Sequence, residues 1–434
     1  MRVLIAIDSH KREYIAMRLL QDALRSEGIE AHLCSRYILR RAFNRFKPHA
    51  VIIHSSHKVP ELPHIHKYAH IVLLQAESCT GNERAILSLA SPEVFDARFD
   101  LVDLRYSWGK FDQELLQTRR AFPNADLALT GHPISEVWYS KSQCRKIPSE
   151  KKVVGITTSL RAMTHISGGI RNPVALIQHI EANGPSGYFD PPHHAESWVA
   201  FESAWLRIVG DLIRELSGKY KIFLRPHPLE NVELYRFLEK KYGVTVHNEE
   251  DIGAWLDRID VLLSYLSGSQ IDAHVKGVRV VSIRRLFPQF IQDRIPEMLK
   301  LEHDGYYPAP ASYQELLEML RSPVAPDHRL DRFIENVFHY PSKTRPSVAI
   351  AAHLKEWLAT RKEKKAPFRP FPENPLVRLL ALILPIDDLS LIWREAKGRI
   401  TGRETIALSF CRHKFLRNLA SERTLRQLKA GFPC

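Results

Sequence analysis

The chain is poor in the features that most quickly settle a protein's class. Its five cysteines, Cys34, Cys79, Cys144, Cys411 and Cys434, are odd in number, far apart and without paired spacing. That excludes a disulfide framework and points to a reducing, cytoplasmic setting. No apolar run reaches the roughly 20 residues needed to cross a bilayer; the most apolar late stretch, Leu376 to Leu384, stops at Pro385 and runs into Asp387 and Asp388. The opening VLIAI lacks the basic, apolar and small-residue order of a signal peptide. There is no GxxxxGK loop, which argues against a nucleoside triphosphatase. The adjacent His193 and His194 have no HExxH or cysteine pair to complete a zinc set, so neither metal nor cofactor is expected. The segment from Tyr188 to Trp198 that carries them reads as a loop touching substrate or solvent.

What is present is enough apolar material for two cores. The chain has 434 residues at 44% hydrophobic content, and single cores seldom grow beyond about 250–300 residues. The formal net charge is +13, which points to anionic partners such as phosphate-bearing substrates or an anionic membrane. Much of that excess sits in the tail. Arg394, Lys397, Arg399, Arg403, Arg412, Lys414, Arg417, Arg423, Arg426 and Lys429 face only Glu395, Glu404 and Glu422. Apolar residues such as Ile406, Phe410, Leu419 and Leu428 are interleaved with them at partly helical spacing, so an amphipathic helix lying on an anionic membrane and an ordinary packed helix are both open readings. The tail shows no nucleic-acid module and no regular aromatic interleaving, so no nucleic-acid partner is expected.

Short apolar runs alternate with amphipathic ones along the rest of the chain. VLIAI (Val3–Ile7) is followed by a 3.6-period segment from Arg12 to Glu27, then by IEAHLC, AVIIH, IVLLQ, FDLVDLRYSW and DLALTG. A second series begins at VVGITTS (Val153–Ser159) and continues through a helix from about Ser197 to Leu216, KIFL, VTVH, VLLSY and RVVSI. Alternation of this kind predicts parallel sheets with helices on both faces. The expected fold is α/β, with two Rossmann-like doubly wound domains facing a central cleft and a C-terminal helical basic tail. The expected boundaries are 1–140 for an acceptor-side domain, 150–345 for a nucleotide-binding domain and 346–434 for the basic extension.

Ligands of doubly wound sheets bind outside the carboxyl ends of the strands, and the polar clusters fall there. Lys11 and Arg12 follow the first strand, Glu77 follows IVLLQ, and Thr158 and Ser159 close VVGIT. KIFLRPHPLEN, residues Lys221 to Asn231, ends a strand on Arg225, Pro226, His227 and Pro228. The prolines withhold two backbone donors and stiffen the loop, and arginine and histidine both donate to anions. In SYLSGSQIDAHVKG, Ser267, Gly268 and Ser269 precede a helix whose first turns carry Asp272. Such a strand-to-helix passage suits a phosphate, with Asp272 accepting from ribose hydroxyls; an ordinary serine-capped helix is the plainer alternative.

Together IDSHKREYIAMRLLQDALRSEGIEAHL, LTGHP, GITTSLRA, FLRPHPLEN and SGSQIDAHVKGVRVVS resemble the bacterial surface carbohydrate biosynthesis proteins, GT-B-like glycosyltransferases related to the Kdo and sialic acid transferases of capsule assembly. The resemblance covers roughly Met1 to Ile283. It implies transfer of a sugar from a nucleotide-sugar donor, CMP-linked by preference, to a surface polysaccharide or lipid-linked glycan at the inner face of the plasma membrane. By the same resemblance His227 and Pro228 bind the donor phosphate, Ser267 and Ser269 hold it, Asp272 is a ribose ligand and Glu77 is the catalytic base. Lys11 and Arg12 lie on the acceptor side. Relatives carry an acidic pair before a glycine where this chain reads AESCTGNE, with Ser78 in place of the second acid. A nucleotide-sugar 2-epimerase of the same architecture and a non-catalytic scaffold of polysaccharide assembly are the rival readings.

Overall fold

A computed structural model describes residues 1–7, 10–54, 61–76, 99–140, 152–158, 160, 194–227, 230–247, 252–265, 267–293, 305–322, 328–339, 344–362, 364 and 368–371. The chain divides into two compact units, Met1–Ser140 together with Asp331–Cys434, and Lys141–Leu330. Both are α/β units built on a parallel sheet.

In the first unit β1 (Arg2–Ile7), β2 (Glu30–Ser35), β3 (Ala50–Ile53), β4 (His70–Leu74), β5 (Leu104–Ser107) and β6 (Asp126–Leu129) lie in the order β2-β1-β3-β4-β5-β6. Every neighbouring pair is parallel. β3 and β4 are buried at every position, which is why they read as unbroken apolar runs rather than as alternating ones. The periodic segment after β1 is the helix His10–Ser26, with Ala16, Met17, Leu20 and Leu24 in the core. It gives way at Gly28, whose φ of +77° is a left-handed turn that suits glycine.

The chain returns to this unit after residue 330. The helix Pro346–Thr360 packs along the helix His10–Ser26 and buries Ile350, Ala351 and Leu354 in the same core as β1 and β3. Its start is held by Glu136, a fully buried carboxylate that accepts from the Ser347 backbone N–H and hydroxyl. Its end is held by Asp126, which accepts from Trp357 Nε1 at 2.6 Å. Residues 346–360 are therefore a wall of the first core rather than the start of a separate basic extension, and the second unit closes at Leu330 rather than at 345. The apolar face of this helix is what draws it back. Gly109 belongs to the same return: a Cβ there would stand 2.3 Å from the carbonyl oxygens of Asn336 and Val337, so only glycine admits the end of the helix His328–Phe338.

Beyond that helix a strap follows the unit. Lys364 Nζ donates to Asp103 Oδ1 at 3.0 Å and to His66 Nε2 at 3.1 Å. Phe371 N donates to Asn44 Oδ1 at 2.7 Å while Asn44 Nδ2 donates back to Phe371 O at 3.1 Å. Phe368 and Phe371 both pack on Phe43. The basic tail from residue 372 onward lies outside the described residues.

In the second unit β7 (Val153–Thr157), β8 (Lys221–Arg225), β9 (Thr245–Val246), β10 (Val261–Ser264) and β11 (Arg279–Ser282) lie in the order β11-β10-β7-β8-β9, again all parallel. The helix His194–Leu216 supplies Phe201, Trp205, Leu212 and Leu216 to the core on one face. On the other, Trp255 of the helix Ile252–Leu256 closes over Gly155, where a Cβ would lie 2.7 Å from the indole and 2.5 Å from Ile259 Cδ1. Among the described residues no helix is long and apolar enough to cross a membrane.

Asp103, held by β4 as well as by Lys364 of the strap, should make the first unit acid-sensitive. Burial alone would raise the Asp103 pKa, but hydrogen bonds from His70, the Ile71 N–H and Lys364 outweigh it and bring it from 3.8 to about 2. A depressed carboxyl pKa gives stability that is present above the unfolded value and lost as pH falls through the folded one. Melting temperatures of wild type and Asp103→Asn should therefore differ most above about pH 5 and converge toward pH 2; a constant gap across that range would remove Asp103 from the acid response.

Candidate functional site

The order of the second sheet sets where its polar strand ends gather. From β7 the chain winds to β8 on one side, and from β10 to β11 on the other, so the winding reverses between β7 and β10. At such a reversal the helices diverge and leave a crevice outside the carboxyl ends of the strands. Thr158 leaves β7 there, Arg225 and His227 leave the neighbouring β8, and Ser267 to Ser269 follow β10 on the other flank. Adjacent strands are about 4.8 Å apart, so the ends of β8 and β10 lie roughly 10 Å from each other across β7.

Local chemistry shapes each rim. The β7–β8 ladder runs to Thr157 opposite Arg225, and Thr158 N donates to Arg225 O at 3.3 Å. Pro226 then has no N–H with which to continue. The turn closes where Glu230 N donates to His227 O at 2.8 Å. Asn231 Oδ1 next accepts from Glu233 N at 3.1 Å and starts the 3-10 turn Val232–Tyr235.

Glu230 itself is the unexpected member. It has no exposed surface, and its carboxylate accepts from Thr158 Oγ1 at 2.8 Å, Leu160 N at 2.9 Å, His227 N at 3.1 Å and the Tyr235 hydroxyl. Burial raises its pKa, and the bonds from Tyr235, Leu160, Thr158 and His227 pull against that rise. Sequence reasoning read RPHP and passed over the glutamate three residues beyond His227. The available signal was an acid two residues after Pro228 in RPHPLEN, the one carboxylate of that loop.

On the other flank Thr157 Oγ1 donates to Ser264 Oγ at 2.6 Å, tying the ends of β7 and β10, and Gln270 Nε2 donates to Ser264 O at 3.3 Å. The Ser267 and Ser269 hydroxyls lie 2.7 Å apart, and Ser269 N donates to Ser267 Oγ at 3.3 Å. The cap position of the helix that follows is Gly268, with no side-chain cap bond, so the two serines bond each other just after β10 rather than forming an ordinary serine cap. Gly268 is exposed with φ of −58°, and a Cβ there would meet nothing within 4 Å, so its glycine identity answers no steric demand. Asp272 lies half-buried in the first turn of the helix Ser269–Val275. Arg225 is half-buried, with its guanidinium 5.8 Å from the centre of the Trp255 ring.

The second unit therefore brings Arg225, His227, Thr158, Ser267, Gly268, Ser269 and Asp272 to one sheet edge. Thr158 has a different part from the one expected. Its hydroxyl hydrogen is committed to Glu230, so it braces the loop rather than donating to a ligand. Ser159 and Glu77 lie outside the described residues, as does most of the Tyr188–Trp198 loop. Lys11 and Arg12 open the helix after β1, at the carboxyl edge of the first sheet, where the winding also reverses between β1 and β3.

These two units define a protein of α/β class with two doubly wound, Rossmann-like sheets. No family model matches the chain, and no curated protein matches it. Solved structures similar to it include the wall teichoic acid polymerase TagF, at 12% identity over 83% of this chain and 88% of that one with a TM-score of 0.49. The UDP-GlcNAc 2-epimerase of Methanocaldococcus jannaschii is similar at 9% identity over 82% of this chain and 100% of that one, with a TM-score of 0.46. The glycosyltransferase SnogD of Streptomyces nogalater follows at 12% identity over 82% of this chain and 100% of that one, with a TM-score of 0.40. Likeness at this level carries no argument about activity, which has to come from the residues.

Because His227 bonds Glu230 through its backbone N–H, alanine at 227 keeps that bond. His227→Ala should accordingly stay folded and cost about 1 kcal/mol, the central value for a single substitution. A markedly destabilised variant would make the imidazole a structural element.

Proposed function

We propose that the protein is a glycosyltransferase that moves a sugar from a nucleotide-sugar donor, CMP-linked by preference, to a surface polysaccharide or lipid-linked glycan, working on the cytoplasmic face of the membrane. The observation that carries the reading is the placement of Arg225, His227 and the Ser267–Ser269 hydroxyls on strands β8 and β10, either side of β7 at the winding reversal of the second sheet. A cation, an imidazole and a hydroxyl pair are an anion's partners, and the spacing suits the phosphate of a nucleotide.

In transfer, the bond from the sugar's anomeric carbon to the donor phosphate breaks as the bond to the acceptor oxygen forms. The electron pair leaves with the phosphate, whose growing charge Arg225, His227 and the serine hydroxyls stabilise more in the transition state than in the ground state. The acceptor hydroxyl's proton goes to a carboxylate, the role assigned to Glu77, and Lys11 and Arg12 serve the acceptor side. Asp272 takes the ribose hydroxyls.

Thermal shifts with CMP-, UDP-, GDP- and CDP-linked donors test the donor class, since a bound nucleotide raises the melting temperature by mass action. The CMP-linked donor should stabilise most. His227→Ala should lower transfer by about 10²–10³, the scale for one preorganised donor. Turnover of UDP-N-acetylglucosamine without any acceptor would instead favour an epimerase.

The basic tail supports the membrane part of the reading. On an anionic leaflet each nearby cation adds about 1 kcal/mol before screening. Phe371 is 7% exposed and packs with Phe368 into the apolar cluster around Phe43 in the first unit, so a truncation meant to remove only the tail belongs after Phe371; a cut at Lys365 would open that cluster. Sedimentation with anionic liposomes should fall with salt and be lost in the chain ending at Phe371. Equal recovery in the supernatant with and without anionic vesicles at low salt would leave the tail as ordinary packing.

A further inference from the structure

The geometry points to Glu230 as the positioning residue of this site: its carboxylate joins the segment after β7 and the Arg225–His227 loop after β8 into one frame, so that the anion-binding side chains keep a fixed direction. The inference rests on the nucleotide-binding reading for its consequence, though not for its geometry.

A carboxylate has two oxygens and about four acceptor positions. Here Oε1 takes the Leu160 N–H at 2.9 Å and the His227 N–H at 3.1 Å, and Oε2 takes Thr158 Oγ1 at 2.8 Å and the Tyr235 hydroxyl. Those four donors come from three separate pieces of chain: the exit of β7, the RPHP loop and the 3-10 turn Val232–Tyr235. The β7–β8 ladder ends at Thr157 and Arg225, followed only by the Thr158 N–H on Arg225 O, and Pro226 offers no N–H to extend it. Past that point the carboxylate is the shared anchor.

A carboxylate with no exposed surface is a demanding choice for a brace, because a buried charge needs every acceptor position filled. The same property makes the frame all-or-none: removing the acceptor strands two backbone N–H groups and two hydroxyls together. It also predicts how alanine and glutamine differ at this position. The Oε2 partners are both hydroxyls, which accept as readily as they donate. Glutamine with its carbonyl at the Oε1 position keeps both backbone N–H bonds, and its amide N–H₂ is met by Thr158 and Tyr235 after their hydroxyls rotate. Alanine has no such recourse.

The test uses the full-length protein as wild type, Glu230→Ala, Glu230→Gln and Glu230→Leu, with amide hydrogen exchange and CMP affinity as paired readouts. In Glu230→Ala the Leu160 and His227 amides should lose protection together, by about tenfold or more, while the β7 and β10 amides keep theirs. CMP affinity should fall by roughly tenfold, the scale of losing one buried hydrogen-bonded anchor. Glu230→Gln should restore both readouts to within about threefold of wild type, whereas Glu230→Leu, which fills similar volume without an acceptor, should behave like Glu230→Ala; rescue by leucine as well would make the residue a filler of volume and overturn the inference. Protected Leu160 and His227 amides in Glu230→Ala overturn the inference. So does a lost protection that leaves CMP affinity untouched. If wild type binds no CMP or other nucleotide while the two amides still deprotect together and glutamine rescues them, the frame stands and the nucleotide reading is what fails.

Discussion

One buried carboxylate that must be fully hydrogen-bonded governs the polar edge of the second sheet. Glu230 has no exposed surface, and in such a place an unmatched charge is among the most unfavourable groups a fold can hold. Its partners are therefore obligatory. They include the hydroxyl of Thr158, the backbone N–H of His227 and the hydroxyl of Tyr235. The loop KIFLRPHPLEN is thus stiff for two reasons, the prolines that fix its backbone and the glutamate that pins it from behind. Arg225 and His227 sit half-buried on that loop.

Much of this fold can be read from the sequence because parallel strands covered on both faces show up as apolar runs, and AVII and HIVLL are buried at every position. The periodic segment after β1 and the apolar helix before β8 stand out for the same reason. The return of the chain to the first unit is a different matter. The helix Pro346–Thr360 is apolar enough to be recognised as a helix, yet nothing local says which sheet it covers, and that is decided by Glu136, Asp126 and the open face of the helix His10–Ser26. Its neighbours in space are more than two hundred positions away in sequence, as the Ser347–Glu136 bond illustrates.

The site divides in the same way. The placement of Arg225, His227, Ser267 and Ser269 just after β8 and β10 is legible because each follows an apolar run that reads as a strand. Only the structure reveals that the Thr158 hydroxyl donates to Glu230. Glu230 was missed because an acid beside an arginine and a histidine reads as a surface charge until its burial and its four donors are known. The strap from Lys364 to Phe371 was likewise invisible: its meaning lies in Asp103, His66 and Asn44, which no spacing connects to it.

The central claim is that the crevice edge of the second sheet receives a nucleotide phosphate on His227 and Arg225. Histidine-selective ¹⁵N spectra of the full-length protein, with the His227 signals assigned by their loss in His227→Ala, test it most directly. During titration with CMP the His227 ring signals should shift and saturate, whereas cytidine, which lacks the phosphate, should leave them in place. Unmoved His227 signals at CMP concentrations that already raise the melting temperature would contradict the account, because the nucleotide would then be bound elsewhere.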